Sequence, residues 1–170
     1  MTKSLVTIYT PYFNSIQFLE ASLHSYLKQT YRPLELYLVL DVPFLLEERR
    51  ILENFKLNNQ NEDFKITVIF NQRNIGPNNN FYEKYKNFNG KYILLPSQND
   101  VLANENYINE AVINLEEDEN NLIFYSNCFL EEKNDYYINN RVIKKKKKLT
   151  INLNKFAQYY KFINLSIHYP

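Results

Sequence analysis

Residues 66–96 read ITVIFNQRNIGPNNNFYEKYKNFNGKYILLP, and the order of residue types in that stretch decides the fold. Ile66 to Phe70 is a β-branched and aromatic run, which predicts a strand. Asn71 to Asn80 is polar, with one Gly and one Pro, and predicts a loop. Phe81 to Asn87 suits a short helix. Asn89-Gly90 marks a turn, and Tyr92 to Leu95 predicts a strand ended by Pro96. Strand, helix and strand in succession is the unit from which parallel sheets are built.

The same alternation runs outward in both directions. Residues 4–10, with Val6 and Ile8, predict a strand that ends at Pro11. Asn14-Ser15 can cap a helix over 15–29, where Ile16, Leu19, Leu23 and Leu27 recur at helical spacing until Pro33 stops it. Leu34 to Leu40 reads as a strand broken by Asp41-Val42-Pro43, and 44–56 as a helix. Downstream, 106–115 reads as a helix and 122–125 as a strand. The fold class is therefore α/β: a mostly parallel, Rossmann-like sheet flanked by helices. We expect residues 1–130 to form this domain. Residues 131–170 are basic and aromatic. They are expected to be helical over 152–163 and to pack on the domain or on a half absent from this chain.

Composition narrows the function classes. The chain has 170 residues, 45% hydrophobic and 23% charged, which suits a single globular domain with a sizeable core. A net charge of +1 argues against a surface built for nucleic acid. Two glycines rule out a glycine-rich phosphate loop. The lone cysteine, Cys128, allows no internal disulfide and reads as a small core residue. No apolar run reaches the roughly 20 residues that span a bilayer, and the N-terminus lacks signal-peptide character. A cytoplasmic protein is expected, with Lys144 to Lys148 either a solvated charge run or a peripheral contact with the inner face of a membrane.

Parallel sheets bind ligands beyond the carboxyl ends of their strands, so the segments just after the strands hold the candidate site. There are four: Thr10-Pro11-Tyr12-Phe13-Asn14, Leu40-Asp41-Val42, Asn74-Ile75-Gly76 through Asn80-Phe81, and Ser97-Gln98-Asn99-Asp100. Aromatic faces, amides and carboxylates at one sheet edge suit a nucleotide diphosphate bound through a cation.

These segments, in this order and spacing, resemble the family 2 glycosyltransferases. Pro11 to Asn14, Gln29-Thr30-Tyr31, Asp41, Asn74-Ile75-Gly76 followed by Asn80-Phe81, and Gly90-Lys91-Tyr92-Ile93 ahead of Ser97 to Asp100 carry the likeness, over roughly residues 4–128. The resemblance implies a GT-A fold and an inverting transfer from a UDP- or dTDP-sugar to a glycan or lipid-linked acceptor in surface polysaccharide or lipo-oligosaccharide synthesis. It implies that Pro11 and Phe13 cradle the base, with Tyr12 and Asn14 of the same turn in the nucleotide-sugar site, and that Asp41 accepts from the base imide N–H. Arg73, Asn74, Gly76, Asn80, Gln98 and Asn99 would line the donor pocket. It also implies a divalent cation, Mn²⁺ or Mg²⁺.

Three departures stand against that likeness. Leu40 replaces one of a usual acidic pair. Asn99 stands at the metal-binding aspartate, leaving Asp100 as the nearest metal ligand. The half that would supply the acceptor site and the general base does not follow, and no residue of this chain is assigned as catalytic. A degenerate or truncated domain acting as a binding module is thus the second reading. Each residue also has an ordinary reading: Asp41 a turn residue, Asn74 to Asn80 a plain Asn-rich loop, Asp100 a cap, and the aromatics of 156–162 a packed helix face.

Overall fold

The computed structural model describes residues 3–14, 16–126, 141–144 and 161–165. In chain order the elements are β1 (Val6–Tyr12), α1 (Ile16–Leu27), β2 (Leu34–Leu40), α2 (Leu46–Asn59), β3 (Phe64–Phe70), α3 (Gly76–Lys84) with a 3-10 turn at Tyr85–Asn87, β4 (Tyr92–Leu94), α4 (Tyr107–Glu116), β5 (Asn121–Ser126), β6 (Arg141–Lys144) and β7 (Lys161–Leu165). They form one sheet in the order β3-β2-β1-β4-β7-β5-β6. Every ladder is parallel except β5 with β6.

The two-residue period of β2 explains the layering. Leu34, Leu36, Leu38 and Leu40 are all buried, and they join Val6 and Ile8 of β1 beneath Leu19, Leu23 and Tyr26 of α1, Leu52 of α2 and Ile108 of α4. The alternate residues Tyr37 and Val39 face the other side. There they meet Tyr9 and Ile93 under Phe81, Tyr85 and Phe88 from α3 and the segment after it. Each fully buried aliphatic or aromatic side chain contributes about 1.5–3 kcal/mol.

β1 runs on to Tyr12 instead of ending at Pro11. The Tyr12 carbonyl accepts from Asp41 N on the β2 side at 3.2 Å. Pro11 therefore turns its missing donor the other way, where β4 pairs only with Val6 to Ile8. α3 begins at Gly76, not at Phe81, because Pro77 sits in its first turn, where a proline costs no hydrogen bond. The helix expected over 152–163 is corrected at its end: residues 161–165 are strand β7, between β4 and β5. Cys128, Lys145 to Lys148 and residues 152–160 lie outside the described residues.

Gln29-Thr30-Tyr31 proves to be a staple. Gln29 Nε2 donates to the Asn104 carbonyl at 2.8 Å, and its Oε1 accepts from Ile108 N at 3.1 Å. Thr30 N donates to the Glu105 carbonyl at 2.8 Å, and the Tyr31 hydroxyl to the Ser4 carbonyl at 2.6 Å. The end of α1 is thereby tied to the start of α4. Glu35, on the same face of β2 as Tyr37, holds the entry to β4. Its Oε1 accepts from Thr7 Oγ1 at 2.5 Å, Asn89 N at 2.6 Å and Gly90 N at 3.2 Å.

Two substitutions check this packing. A Cβ on Gly90 would collide with Thr7 Oγ1 and lie 2.5 Å from Thr7 N. Gly90→Ala is expected to cost about 1–3 kcal/mol in urea denaturation, since the backbone contact has no side chain to swing away. The buried Tyr9 hydroxyl has no hydrogen-bond partner among the described residues. Tyr9→Phe is accordingly expected to leave the urea midpoint unchanged or raised.

Candidate functional site

β1 has β2 and then β3 on one side and β4 on the other, so the strand order reverses between β1 and β4. Ligands of such sheets lie in the crevice at that reversal, beyond the carboxyl ends of the strands. A cleft of about 400 Å³ opens there. Pro11, Tyr12 and Phe13 reach it from the end of β1 and Asp41 from the end of β2. Asn74, Gly76, Pro77 and Asn80 come from the entry to α3, and Ser97, Gln98 and Asn99 from the loop after β4. Of the candidates read from the sequence, Asn14, Arg73 and Asp100 are not part of the lining.

Asp41 organises the cleft. It is buried, at 4% exposure. Its Oδ1 accepts from Asn71 Nδ2 at 2.8 Å. Its Oδ2 accepts from Ile75 N at 3.2 Å, Gly76 N at 3.0 Å and Asn80 Nδ2 at 2.9 Å. Asn71 Nδ2 also donates to Asn80 Oδ1, closing a ring of three side chains. Gly76 adopts φ +75, a left-handed conformation that suits glycine, which aims its N–H at the carboxylate. Burial alone would push the Asp41 carboxyl up. The hydrogen bonds from Asn71, Asn80, Gly76 and Ile75 outweigh it and hold the carboxyl below the ordinary 3.8.

A second bond bridges the crevice: Phe13 N donates to Gln98 Oε1 at 2.8 Å. Beside it Asn14 takes φ 49, which asparagine tolerates. The Phe13 ring stands 43% exposed at the rim, whereas Tyr12 is buried with its hydroxyl 2.6 Å from Ser22 Oγ. Asp100 caps its own turn: Oδ2 accepts from Ser97 N at 2.7 Å, and its N–H donates to the Ser97 carbonyl at 3.0 Å. Leu40 is fully buried in the core, on the face of β2 opposite Asp41.

The residues at hand do not fit a cation held by the protein. Among the described residues no three His, Cys, Asp or Glu side chains cluster as ligands. Asn99 offers an amide where a hard cation favours a carboxylate, and one oxygen of Asp100 is engaged in the turn. The amide oxygens of Gln98, Asn74 and Asn80 each already accept one hydrogen bond, from Phe13 N, Gly76 N and Asn71 Nδ2.

Asn71 belongs to the site, and sequence reading placed it in a plain loop. Its position directly after β3, one residue past the apolar run, was the available signal. Pro77 and Ser97, which line the cleft, stood within quoted segments without being singled out.

Comparison with known proteins places this geometry. The family model described as Glycosyl transferase family 2 matches residues 7–168. Among curated proteins no sequence matches the chain. Among solved structures, S. aureus TarS 1–349 superposes with a TM-score of 0.63 at 18% identity, over 79% of this chain and 38% of that one. The same protein in complex with UDP-GlcNAc gives 0.66 at 18% identity, over 78% and 37%. The mannosyltransferase PcManGT from Pyrobaculum calidifontis, in complex with GDP-Man and Mn²⁺, gives 0.64 at 15% identity, over 75% and 36%. At such identities the likeness shows a shared GT-A fold. The chain spans less than two-fifths of the length of these structures.

The Asp41 ring is open to a pH test. A carboxyl whose folded pKa lies below its unfolded one contributes stability above the unfolded value, lost as pH falls through the folded one. Asp41→Asn is expected to cost about 2–3 kcal/mol at pH 7 by urea denaturation. The gap to wild type should narrow as the pH is taken below 3.8, the ordinary value for the group.

Proposed function

The chain belongs to glycosyl transferase family 2, and on that footing we propose that its cleft binds a UDP- or dTDP-sugar for transfer to a glycan or lipid-linked acceptor. The observation that carries this reading is convergence. Four loops far apart in sequence bring one exposed aromatic, one buried carboxylate and a set of amides to a single crevice at the strand reversal.

Each group has a task that its chemistry supports. Phe13, with Pro11 beside it, offers a face on which a base can stack. Asp41 offers a carboxylate oxygen to a base N–H. Gln98 and Asn74, whose oxygens are already bound by backbone N–H groups, offer their amide N–H donors to ribose or diphosphate oxygens. The cleft's described lining holds no cationic side chain. Arg73, exposed on the same loop as Asn74, stands close in sequence to help offset diphosphate charge.

Inversion follows from a single displacement. The acceptor oxygen forms its bond to the anomeric carbon as the bond from that carbon to the diphosphate breaks. The acceptor proton passes to a carboxylate general base, a part we assign outside the described residues. We place the work in the cytoplasm, at the inner face of a membrane, in surface glycan synthesis. Among the described residues no helix is long and apolar enough to cross a membrane. A second reading, a binding module that has lost transfer, is favoured by Asn99. Leu40 supports it less, because position 40 faces the core.

Titration calorimetry with UDP-, dTDP- and GDP-sugars, each in EDTA and in Mn²⁺, tests the proposal. Binding of a UDP- or dTDP-sugar is expected. Phe13→Ala should weaken it about tenfold, the worth of a stacked ring. Failure of every nucleotide sugar to bind in both conditions would refute the proposal.

A further inference from the structure

Residues 42–46 read VPFLL, five apolar residues in a row between Asp41 of the cleft and the body of α2, and none of the five is buried. Leu46 is 86% exposed and Leu45 55%. The local structure does not call for leucine there. Leu45 is the N-cap of α2, a position that favours a side-chain oxygen, and its N–H is held by Glu48 Oε2 at 2.7 Å. An exposed apolar run of this length gives the fold nothing, which points to a contact outside the chain.

Its neighbours hold the loop and share its character. The Phe44 ring packs on Phe70 at the end of β3, with centroids 5.3 Å apart, and the Arg49 guanidinium lies 4.7 Å over the Phe70 ring. Phe44 is thus the anchor, and Leu45 and Leu46 stay in solvent. Phe13 at the end of β1 and Phe18 in the first turn of α1 are exposed at the same end of the sheet, because β1 and β2 are parallel. Four of the eight large exposed hydrophobic side chains among the described residues therefore stand at the cleft end. Arg49 is bound to Glu53 at 2.9 Å, whereas Arg50 and Arg73 have no ion-pair partner among the described residues. Glu48 is engaged with Leu45 N, and Asp100 with its own turn, which leaves Glu47 beside two arginines.

We propose that this loop docks the chain on a bilayer with anionic headgroups, Leu45 and Leu46 inserting at the headgroup boundary and Arg50 and Arg73 meeting lipid phosphates. A second copy is the poorer occupant, since a two-fold contact on this loop would set the arginines of one copy against those of the other. Docking here turns the cleft towards the membrane, because Val42 follows Asp41 directly. That is where a lipid-linked acceptor presents its hydroxyl, so this orientation rests on the acceptor reading above, and the docking itself does not. The surface is distinct from the lysine run. Lys144 pairs in register with Asn121 at the start of β5, the opposite end of the sheet from the cleft.

The chain has no tryptophan, so one placed on the loop is a clean fluorescent reporter. Leu46→Trp and, as a control at the other end of α2, Leu57→Trp replace side chains 86% and 81% exposed, so neither disturbs the packing. Each variant of the whole chain is titrated with vesicles of phosphatidylglycerol and phosphatidylethanolamine, and with vesicles of phosphatidylcholine alone. The Leu46→Trp emission is expected to shift to the blue on the anionic vesicles and the Leu57→Trp emission to stay put. Adding Arg50→Gln to Leu46→Trp should weaken vesicle binding about fivefold. An unshifted Leu46→Trp spectrum, an equal shift at position 57, equal affinity for both kinds of vesicle, or a shift that grows with protein concentration without lipid would overturn the proposal. UDP-sugar binding, measured by calorimetry without lipid, is read separately. Its presence beside a failed vesicle titration sinks the docking alone, and its absence beside a successful one sinks the nucleotide-sugar reading and leaves the docking standing.

Discussion

The cleft exists because one buried carboxylate holds its wall in place. Without Asp41, the Ile75 N–H and the Asn80 amide N–H would lose the acceptor that they have at the start of α3, and Gly76 N and Asn71 Nδ2 would keep only Asn74 Oδ1 and Asn80 Oδ1. Unsatisfied donors in a buried position are costly, so the loop would open to water. At the other end of β2, Glu35 does the matching work on Asn89 and Gly90. The two carboxylates lie on the same face of one strand, six residues or about 20 Å apart. Between them Tyr37, Phe88, Tyr9 and Phe81 pack ring against ring. The α3 crossover is thus clamped where it leaves β3 and where it enters β4.

Much of this was legible in the sequence, for a physical reason. Strand periodicity and the position of polar residues just after apolar runs are local properties, and they located Phe13, Asp41, Asn74, Asn80 and Gln98 at one sheet edge. What failed to show was non-local. Pro77 reads as a loop residue until the Gly76 N–H is seen bound to Asp41, which makes it a helix starter. Asn71 looks like one asparagine among many until its amide closes a ring with two residues distant in sequence. Strand β7 is placed by its neighbours β4 and β5, and the aromatic spacing around it suggested a helix.

The polarity of the cleft was equally hidden. A sequence lists amides without saying which end points where. In the folded chain three of them have their oxygens committed to Phe13 N, Gly76 N and Asn71 Nδ2, each a partner that can only donate. What remains is a lining rich in amide N–H groups around one buried carboxylate. Such a surface favours ligands rich in oxygen acceptors and does little for a bare metal ion. That accords with Asn99, an amide where the resemblance implies a carboxylate, and with Asp100 being occupied by its own turn.

The alternation of β2 also divides the labour of change. Leu34, Leu36, Leu38 and Leu40 contact the helices α1, α2 and α4, and Glu35, Tyr37, Val39 and Asp41 the opposite layer. An acid introduced at 40 would enter an apolar interior rather than the cleft, where burying its charge is unfavourable. Drift on the leucine face therefore tunes how firmly the domain holds together, whereas drift on the other face alters what it can recognise. One strand lets those two properties vary independently, residue by residue.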